Sequence, residues 1–277
     1  MLTASAWITT VAPAAALGAA VGLYGIISPR ARIWGPVIAR AKRPAGHNGP
    51  PRVALTFDDG PTPQSTPAVL DALQRMDAPA TFFVVGQNVR AHPHLLARTH
   101  AAGHLIANHT HTHPRHGLWG LRPYWRRELD ACNDAVYDVI GQRPAFFRPP
   151  MGLKHWHLLK EVTWGGQTCV NWSRRARDGN THQTPKRLIH RLTKRLSDGD
   201  ICLLHDGHEP DHPGTRQHTA DAIPALVNQI RDRGFELVRL DELLGQPGYL
   251  PTDHDHDAPK PTDDIILPTA LENGRGG

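Results

Sequence analysis

Residues 55 to 61 read LTFDDGP, which sets Asp58 and Asp59 side by side where an apolar run ends. Neighbouring like charges repel, so the pair needs a reason. A solvated turn is one, because Asp-Gly and Gly-Pro are turn dipeptides. The other is a site in which one carboxylate binds a cation and its neighbour stays free to move a proton. Further along, HTHTH places His109 and His113 four residues apart, a spacing that brings both imidazoles to one cation if the segment is helical. Two histidines and a carboxylate make a ligand set that leaves a position open for water, as catalytic zinc sites do. Hydrogen-bonded structural histidines are the alternative on spacing alone. Arg148 follows AFF, and His205 and Asp206 follow ICLL, so further polar groups stand at the ends of apolar runs.

The elements that must position these groups are short. RVALTF, ATFFVV, HLIANH, AFFRPP, TCVNW, DICLLH and FELVRL read as strands. Helical patterns lie between them: one capped by Ser65, one from Pro93 to Gly103, and one over 122–140 with Leu129, Cys132, Val136 and Val139 at helical spacing. PKRLIHRLTKRL and residues 217–233 supply two more. Strands alternating with helices imply a parallel sheet with covering helices. About seven such units suit a closed barrel, with functional residues gathered at the carboxyl ends of the strands.

Composition bounds the rest. A chain of 277 residues with 39% hydrophobic and 21% charged residues is globular and long enough for a sizeable core. Its net charge of +5 is local: Arg30, Arg32, Arg40, Lys42 and Arg43 fall in the first 50 residues, which carry no acidic side chain. The remainder is balanced, which argues against a nucleic-acid partner. Cys132, Cys169 and Cys202 have no metal-type spacing and read as buried, inert thiols. No charged side chain precedes Arg30, and the apolar stretch Trp7 to Ile27 predicts a single membrane-spanning helix. A cleaved signal peptide is the alternative, although a basic n-region is missing. His208, His212, His218, His254 and His256 read as solvated, and His104 and His111 as hydrogen-bonding or surface groups. The stripe Leu188, Ile189, Leu192 and Leu196 predicts a helix packed on the barrel with a basic face in water.

Taken together, these segments resemble the polysaccharide deacetylases with a NodB homology domain, carbohydrate esterase family 4. The family's T-F-D-D-G is matched by Thr56 to Gly60, its H-S/T-x-x-H by His109 to His113, its Arg-Pro-Pro by Arg148 to Pro150, and its L-x-H by Leu203 and His205. The likeness spans residues 52 to 243. Two departures stand out. Met151 occupies a position where Tyr or Trp is usual. WSRRARDG stands for W-S-x-D-x-x-D-W, which puts Asp178 at the second aspartate, Arg175 at the first and Gly179 at the tryptophan.

The resemblance implies a single irregular (β/α) barrel of about seven strands, here preceded by a transmembrane helix. It implies a metal-dependent hydrolase that removes N-acetyl or related acyl groups from an amino sugar in a polysaccharide or glycolipid. Asp59, His109 and His113 would hold one divalent ion, zinc first, with cobalt, manganese or nickel as alternatives. Asp58 would be the general base and His205 the general acid. Arg148 would pair with the base and Asp178 would orient the polar set. Leu203, Met151 and Pro150 would touch substrate. The expected organisation is an anchor or signal over 1–28, a basic Pro/Gly-rich linker over 29–50, a catalytic domain over 51–246 and a flexible tail over 247–277. The expected partners are an N-acetylated glycan or glycolipid and a membrane, with no nucleic acid. The basic flank points to a cytoplasmic catalytic domain by the positive-inside rule, the family's activity to an extracytoplasmic one. A catalytically impaired carbohydrate-binding protein and an amidase for a non-glycan amide are the competing readings.

Overall fold

The computed structural model describes residues 4–43, 48–115, 120–179, 183–210 and 214–251, with the side chains of 4–12 outside that description. The apolar runs become strands β1 (Arg52–Asp58), β2 (Thr81–Val84), β3 (Leu105–Asn108), β4 (Phe146–Phe147), β5 (Thr168–Cys169), β6 (Arg174–Arg175), β7 (Ile201–His205) and β8 (Glu236–Leu237). The order across the sheet is β5-β4-β3-β2-β1-β7-β6, with β8 beside the start of β1, and every pairing is parallel. Helices α1 (Ala4–Ile27), α2 (Thr66–Arg75), α3 (Gly86–Ala91), α4 (Pro93–Ala101), α5 (Arg122–Ile140), α6 (Trp156–Trp164), α7 (Pro185–Thr193), α8 (Gln217–Arg231) and α9 (Leu240–Leu244) complete the chain. The closed barrel expected from the unit count is not formed. Among the described residues β5 and β6 end the path without pairing to each other, so the sheet is a curled half-barrel.

β1 is central and buried along nearly its whole length, as a parallel strand covered on both faces must be. Its side chains alternate. Val53, Leu55 and Phe57 join the layer that includes Val69, Leu73, Ile223 and Leu226 from α2 and α8. Ala54 belongs to the inner layer with Phe83, Ala107, Phe146 and Ile201. The period of two therefore puts Thr56 and Asp58 on the inner face with Ala54. Register then levels the strand ends: Asp58 aligns with His205 on one side and Phe83 on the other, Val84 with Asn108, and Asn108 with Phe147. His109 and Arg148 each follow by one residue, so the groups separated in sequence reach one layer.

Several local expectations change. Ser65 sits at the N-cap of α2 but makes no capping bond; its hydroxyl accepts from the Arg216 amide. The segment expected as a linker is seated on the sheet, where Ile38 bridges Val170 and Arg40 bridges Asp200. Val37, Ala39 and Ala41 are buried, Ile38 is half-buried and Arg40 is exposed. Residues 248–250, expected in the tail, are also held: Ala145 donates to the Gly248 carbonyl, Pro144 bridges Tyr249, and the Leu250 amide donates to Arg143. The rest of that tail, with His254 and His256, lies outside the described residues.

α1 forms over the apolar N-terminus, but the bilayer span expected there is not supported. Among the described residues no helix is long and apolar enough to cross a membrane. The side chains of the first part of that stretch, Trp7 included, lie outside the described residues. The end of α1 is tied to the globular part instead. Trp34 Nε1 donates to the Gly22 carbonyl, and Lys154 donates through its amide to Ile26 and through Nζ to Ser28. The three cysteines are buried and unpaired, and burial pushes Cys132 and Cys169 up to about 12 and Cys202 higher still.

Candidate metal centre and catalytic cleft

A strand alternates its side chains, so adjacent aspartates should diverge. They do not, because Asp59 takes φ 76° and breaks the pleat, leaving both carboxylates lining one cleft. Asp tolerates the left-handed region better than most residues. The next residue must be glycine on steric grounds: a Cβ on Gly60 would lie 2.1 Å from an Asp206 carboxylate oxygen. Asn88 braces this turn by donating to the carbonyls of Asp59 and His208.

The histidine segment is not the helical turn expected from its spacing. Thr110 and His113 have φ of 70° and 52°, and a net of side chains closes the loop. Asn108 accepts from the Thr110 amide, Thr110 accepts from the His113 amide, and the Glu128 carboxylate of α5 accepts from the amides of His111 and Thr112. The imidazoles nevertheless converge. Nε2 of His109 and of His113 lie 3.4 and 3.3 Å from the same oxygen of Asp59. One ligand atom from each residue falls within 4.8 Å of the others, in a buried setting.

These residues fit a divalent cation. Asp59 Oδ1 is buried with no hydrogen-bond partner among the described residues, an arrangement a cation would relieve. His109 Nδ1 is 2.7 Å from the Arg148 carbonyl, which fixes the proton on Nδ1 and leaves the Nε2 lone pair facing Asp59. Burial outweighs the nearby carboxylates and holds His113 below the usual histidine range, in the neutral form a ligand requires. Burial alone would raise the Asp59 carboxyl, but the imidazoles around it, His205 the cationic one among them, hold it below the usual carboxylate range.

Asp58 has different company. Its Oδ1 accepts from Arg148 Nη1 at 2.6 Å, and the Arg148 side chain is wholly buried. That guanidinium also donates to Thr56 Oγ1 and to the carbonyls of Val170 and Asn171, and it stacks 3.9 Å over Phe83. His205 leans on Asp178, with Nδ1 2.7 Å from Asp178 Oδ1. The other Asp178 oxygen accepts from the His205 amide and the Thr219 hydroxyl. Burial would lower His205, but the Asp178 charge and hydrogen bond, with Asp59 and Asp58 beyond, raise it to about 9. Its Nε2 faces the cleft, 4.0 Å from Asp59 Oδ2.

The cleft over these groups has a volume of about 890 Å³. Leu203, Met151, Trp172 and Gly179 are part of its wall, and Met151 is 48% exposed at the rim. Pro150 is buried and does not line the cleft, which corrects its expected substrate contact. His208 is buried in the cleft wall and His218 Nε2 lies 2.9 Å from the Asp178 carbonyl, so neither is the solvated histidine expected; His212 lies outside the described residues. His104 is buried as well and is pushed down to about 4 by burial and by Arg239. Sequence reasoning missed Thr56, Glu209 and Arg216. The strand-end rule, followed a few residues past His205, points to Glu209, which lies 3.6 Å from His113 Nδ1.

Known proteins resemble this chain. The family described as polysaccharide deacetylase matches residues 45–169. A chitooligosaccharide deacetylase of Sinorhizobium fredii is 36% identical over 198 residues, covering 69% of this chain and 91% of the relative. The peptidoglycan-N-acetylglucosamine deacetylase PgdA of Listeria monocytogenes is 32% identical over 195 residues, covering 70% of this chain but 39% of that longer protein. Among solved structures, the Bc1960 peptidoglycan N-acetylglucosamine deacetylase superposes with a TM-score of 0.69 at 27% identity, covering 76% of this chain and 94% of that one.

Proposed function

The chain belongs to the polysaccharide deacetylase family, and from that premise we propose that it is a zinc-dependent hydrolase removing N-acetyl, or related acyl, groups from an amino sugar in a polysaccharide or glycolipid. One observation carries the reading. The convergent donors of Asp59, His109 and His113 lie beside two differently partnered acid–base groups, Asp58 with Arg148 and His205 with Asp178.

Asp59, His109 and His113 would hold a divalent ion, which would supply a lowered water pKa, towards about 7, and a Lewis acid for the acyl oxygen. Asp58 takes the proton of the attacking water, and Arg148 holds that carboxylate in place. His205 gives a proton from Nε2 to the departing amine while its Nδ1–H is held by Asp178, so acetate and a free amino sugar leave. Leu203, buried in the cleft wall, meets the acyl methyl. A glycan-binding chain without turnover would lack one of these groups, and each is present beside its partner.

The direct test is metal content of the purified protein, followed by acetate release from chitotetraose, peptidoglycan and a non-glycan N-acetyl amide. Acetate from the last alone would make the protein an amidase of another kind. His113→Ala should remove most bound zinc and turnover together. Stoichiometric zinc in that variant would overturn the ligand assignment.

Gly179 bears on acyl size. Among the described residues a Cβ there meets nothing closer than Arg216 at 4.0 Å, which leaves room beside Gly179 where the family has a tryptophan. A methylene that a hydrophobic pocket refuses costs about 10–200-fold in kcat/KM. The wild type should therefore accept propionyl and butyryl amino sugars with little loss, and Gly179→Trp should restore that penalty. Equal rejection of the larger groups by both proteins would show that the cleft is closed from elsewhere.

A further inference from the structure

The carboxylates of the cleft are already occupied. Asp58 pairs with Arg148, Asp59 faces His109 and His113, and Glu209 lies 2.5 Å from Arg115. Arg216 is buried and spends its donors on the carbonyls of Gly207 and Asp178. Arg175, Arg177 and Arg191 remain. All line the same cleft, all are exposed, and none has a carboxylate partner among the described residues. They come from neighbouring parts of the fold: Arg175 from β6, Arg177 from the turn after it at φ 60°, and Arg191 from α7, which packs against β6. Arg175 also stands where the family pattern has an aspartate, so the wall carries a reversed charge.

We propose that this wall is an anion subsite, and that it takes a phosphoryl group carried by the acylated amino sugar. The proposal rests on the deacylase reading for the identity of the sugar. Charge selects the ligand: a carboxylate brings a single negative charge, whereas a phosphomonoester brings about −1.5 to −2 at neutral pH and more acceptor oxygens. Guanidinium forks match those oxygens two at a time. Room points the same way. Ligand pockets run from about 300 to 1,000 Å³, and this one, at about 890 Å³, is near the top of that span, with its wall thinned at Gly179. A sugar joined through a pyrophosphate to a nucleoside or polyprenyl group keeps one negative charge on each phosphate and fits that shape.

The test compares binding and turnover of N-acetylglucosamine 1-phosphate with the neutral methyl N-acetylglucosaminide, in the zinc-loaded wild type and in Arg175→Gln/Arg191→Gln. Both proteins keep the zinc ligands, so phosphate bound to zinc alone is common to both and drops out of the difference. We expect the phosphoryl sugar to bind at least about tenfold more tightly than the neutral one, an advantage weakened by salt and lost in the double variant. Equal binding of the two sugars, or an advantage untouched by the substitutions, overturns the subsite. Arginine-dependent binding without acyl release from any sugar sustains the subsite and sinks the deacylase reading instead. Acetate release from neutral glycans with no phosphoryl advantage does the reverse. Uridine diphosphate N-acetylglucosamine and a polyprenyl-pyrophosphoryl N-acetylglucosamine in detergent, compared at equal concentration, separate the two sources of the phosphate.

Discussion

Asp58→Asn should keep wild-type zinc stoichiometry and lower kcat by about 10²–10⁴-fold on any substrate the wild type deacylates. The geometry separates it from its neighbour. Both histidine Nε2 atoms approach one oxygen of Asp59 at 3.3 and 3.4 Å, while Asp58 Oδ2 is 3.7 Å from His109 and its Oδ1 is engaged by Arg148. Asparagine keeps the shape and can still accept from Arg148, but it cannot take a proton from water at neutral pH. A second cost follows. Arg148 is wholly buried, and removing the counter-charge from a buried pair costs about 3–5 kcal/mol. The melting temperature should fall too, so the rate belongs below the onset of unfolding, checked by circular dichroism. Normal turnover with zinc in place would give the proton to another group. Joint loss of zinc and turnover would make Asp58 a ligand.

The chemistry was legible because a parallel sheet turns strand ends into a shared layer. Each of Asp58, His109, Arg148 and His205 stands at or just past the end of a short apolar run, and register does the rest by aligning Asp58 with His205 and Asn108 with Phe147. No long-range inference was needed to see that such residues meet. The inward aim of Asp58 follows from the alternation that sets Ala54, Thr56 and Asp58 on one face of β1.

Conformation at the ligands was not. The spacing of His109 and His113 suggests a helix, but the loop is shaped by side-chain bonds from Asn108, Thr110 and Glu128, and Glu128 belongs to a helix some twenty residues later. Local pattern cannot show a bond whose partner is distant in sequence. Closure of the barrel failed for a related reason. Whether the edge strands meet depends on the lengths of β4, β5 and β6, each of 2 residues, and sequence runs such as AFFRPP and TCVNW overstate them. The segment over Val37 to Ala41 was misjudged on its Pro, Gly and Arg content, although its burial alternates with period two.

The pH profile offers the sharpest test of the acid. A general acid works only while protonated, so the alkaline limb of kcat reports its pKa. In the wild type, burial works against protonation of His205, and the Asp178 carboxylate outweighs it, lifting the imidazole to about 9. Asp178→Asn removes that charge and leaves burial unopposed by its strongest counterweight. The pKa must then fall, and the alkaline limb should move to lower pH. The acidic limb, to which His205 does not contribute, should stay. The substitution also disturbs position, because Asp178 accepts from His205 Nδ1 with one oxygen and from the His205 amide and Thr219 hydroxyl with the other, and asparagine keeps only one acceptor oxygen. A loss of about 10²–10⁴-fold in kcat at neutral pH is expected for an amide substrate. An ester with a leaving group that needs no proton, such as 4-nitrophenyl acetate, should be largely spared, since only the acid step is damaged. An unmoved alkaline limb, or equal loss on amide and ester, would make Asp178 a structural support and assign the acid elsewhere.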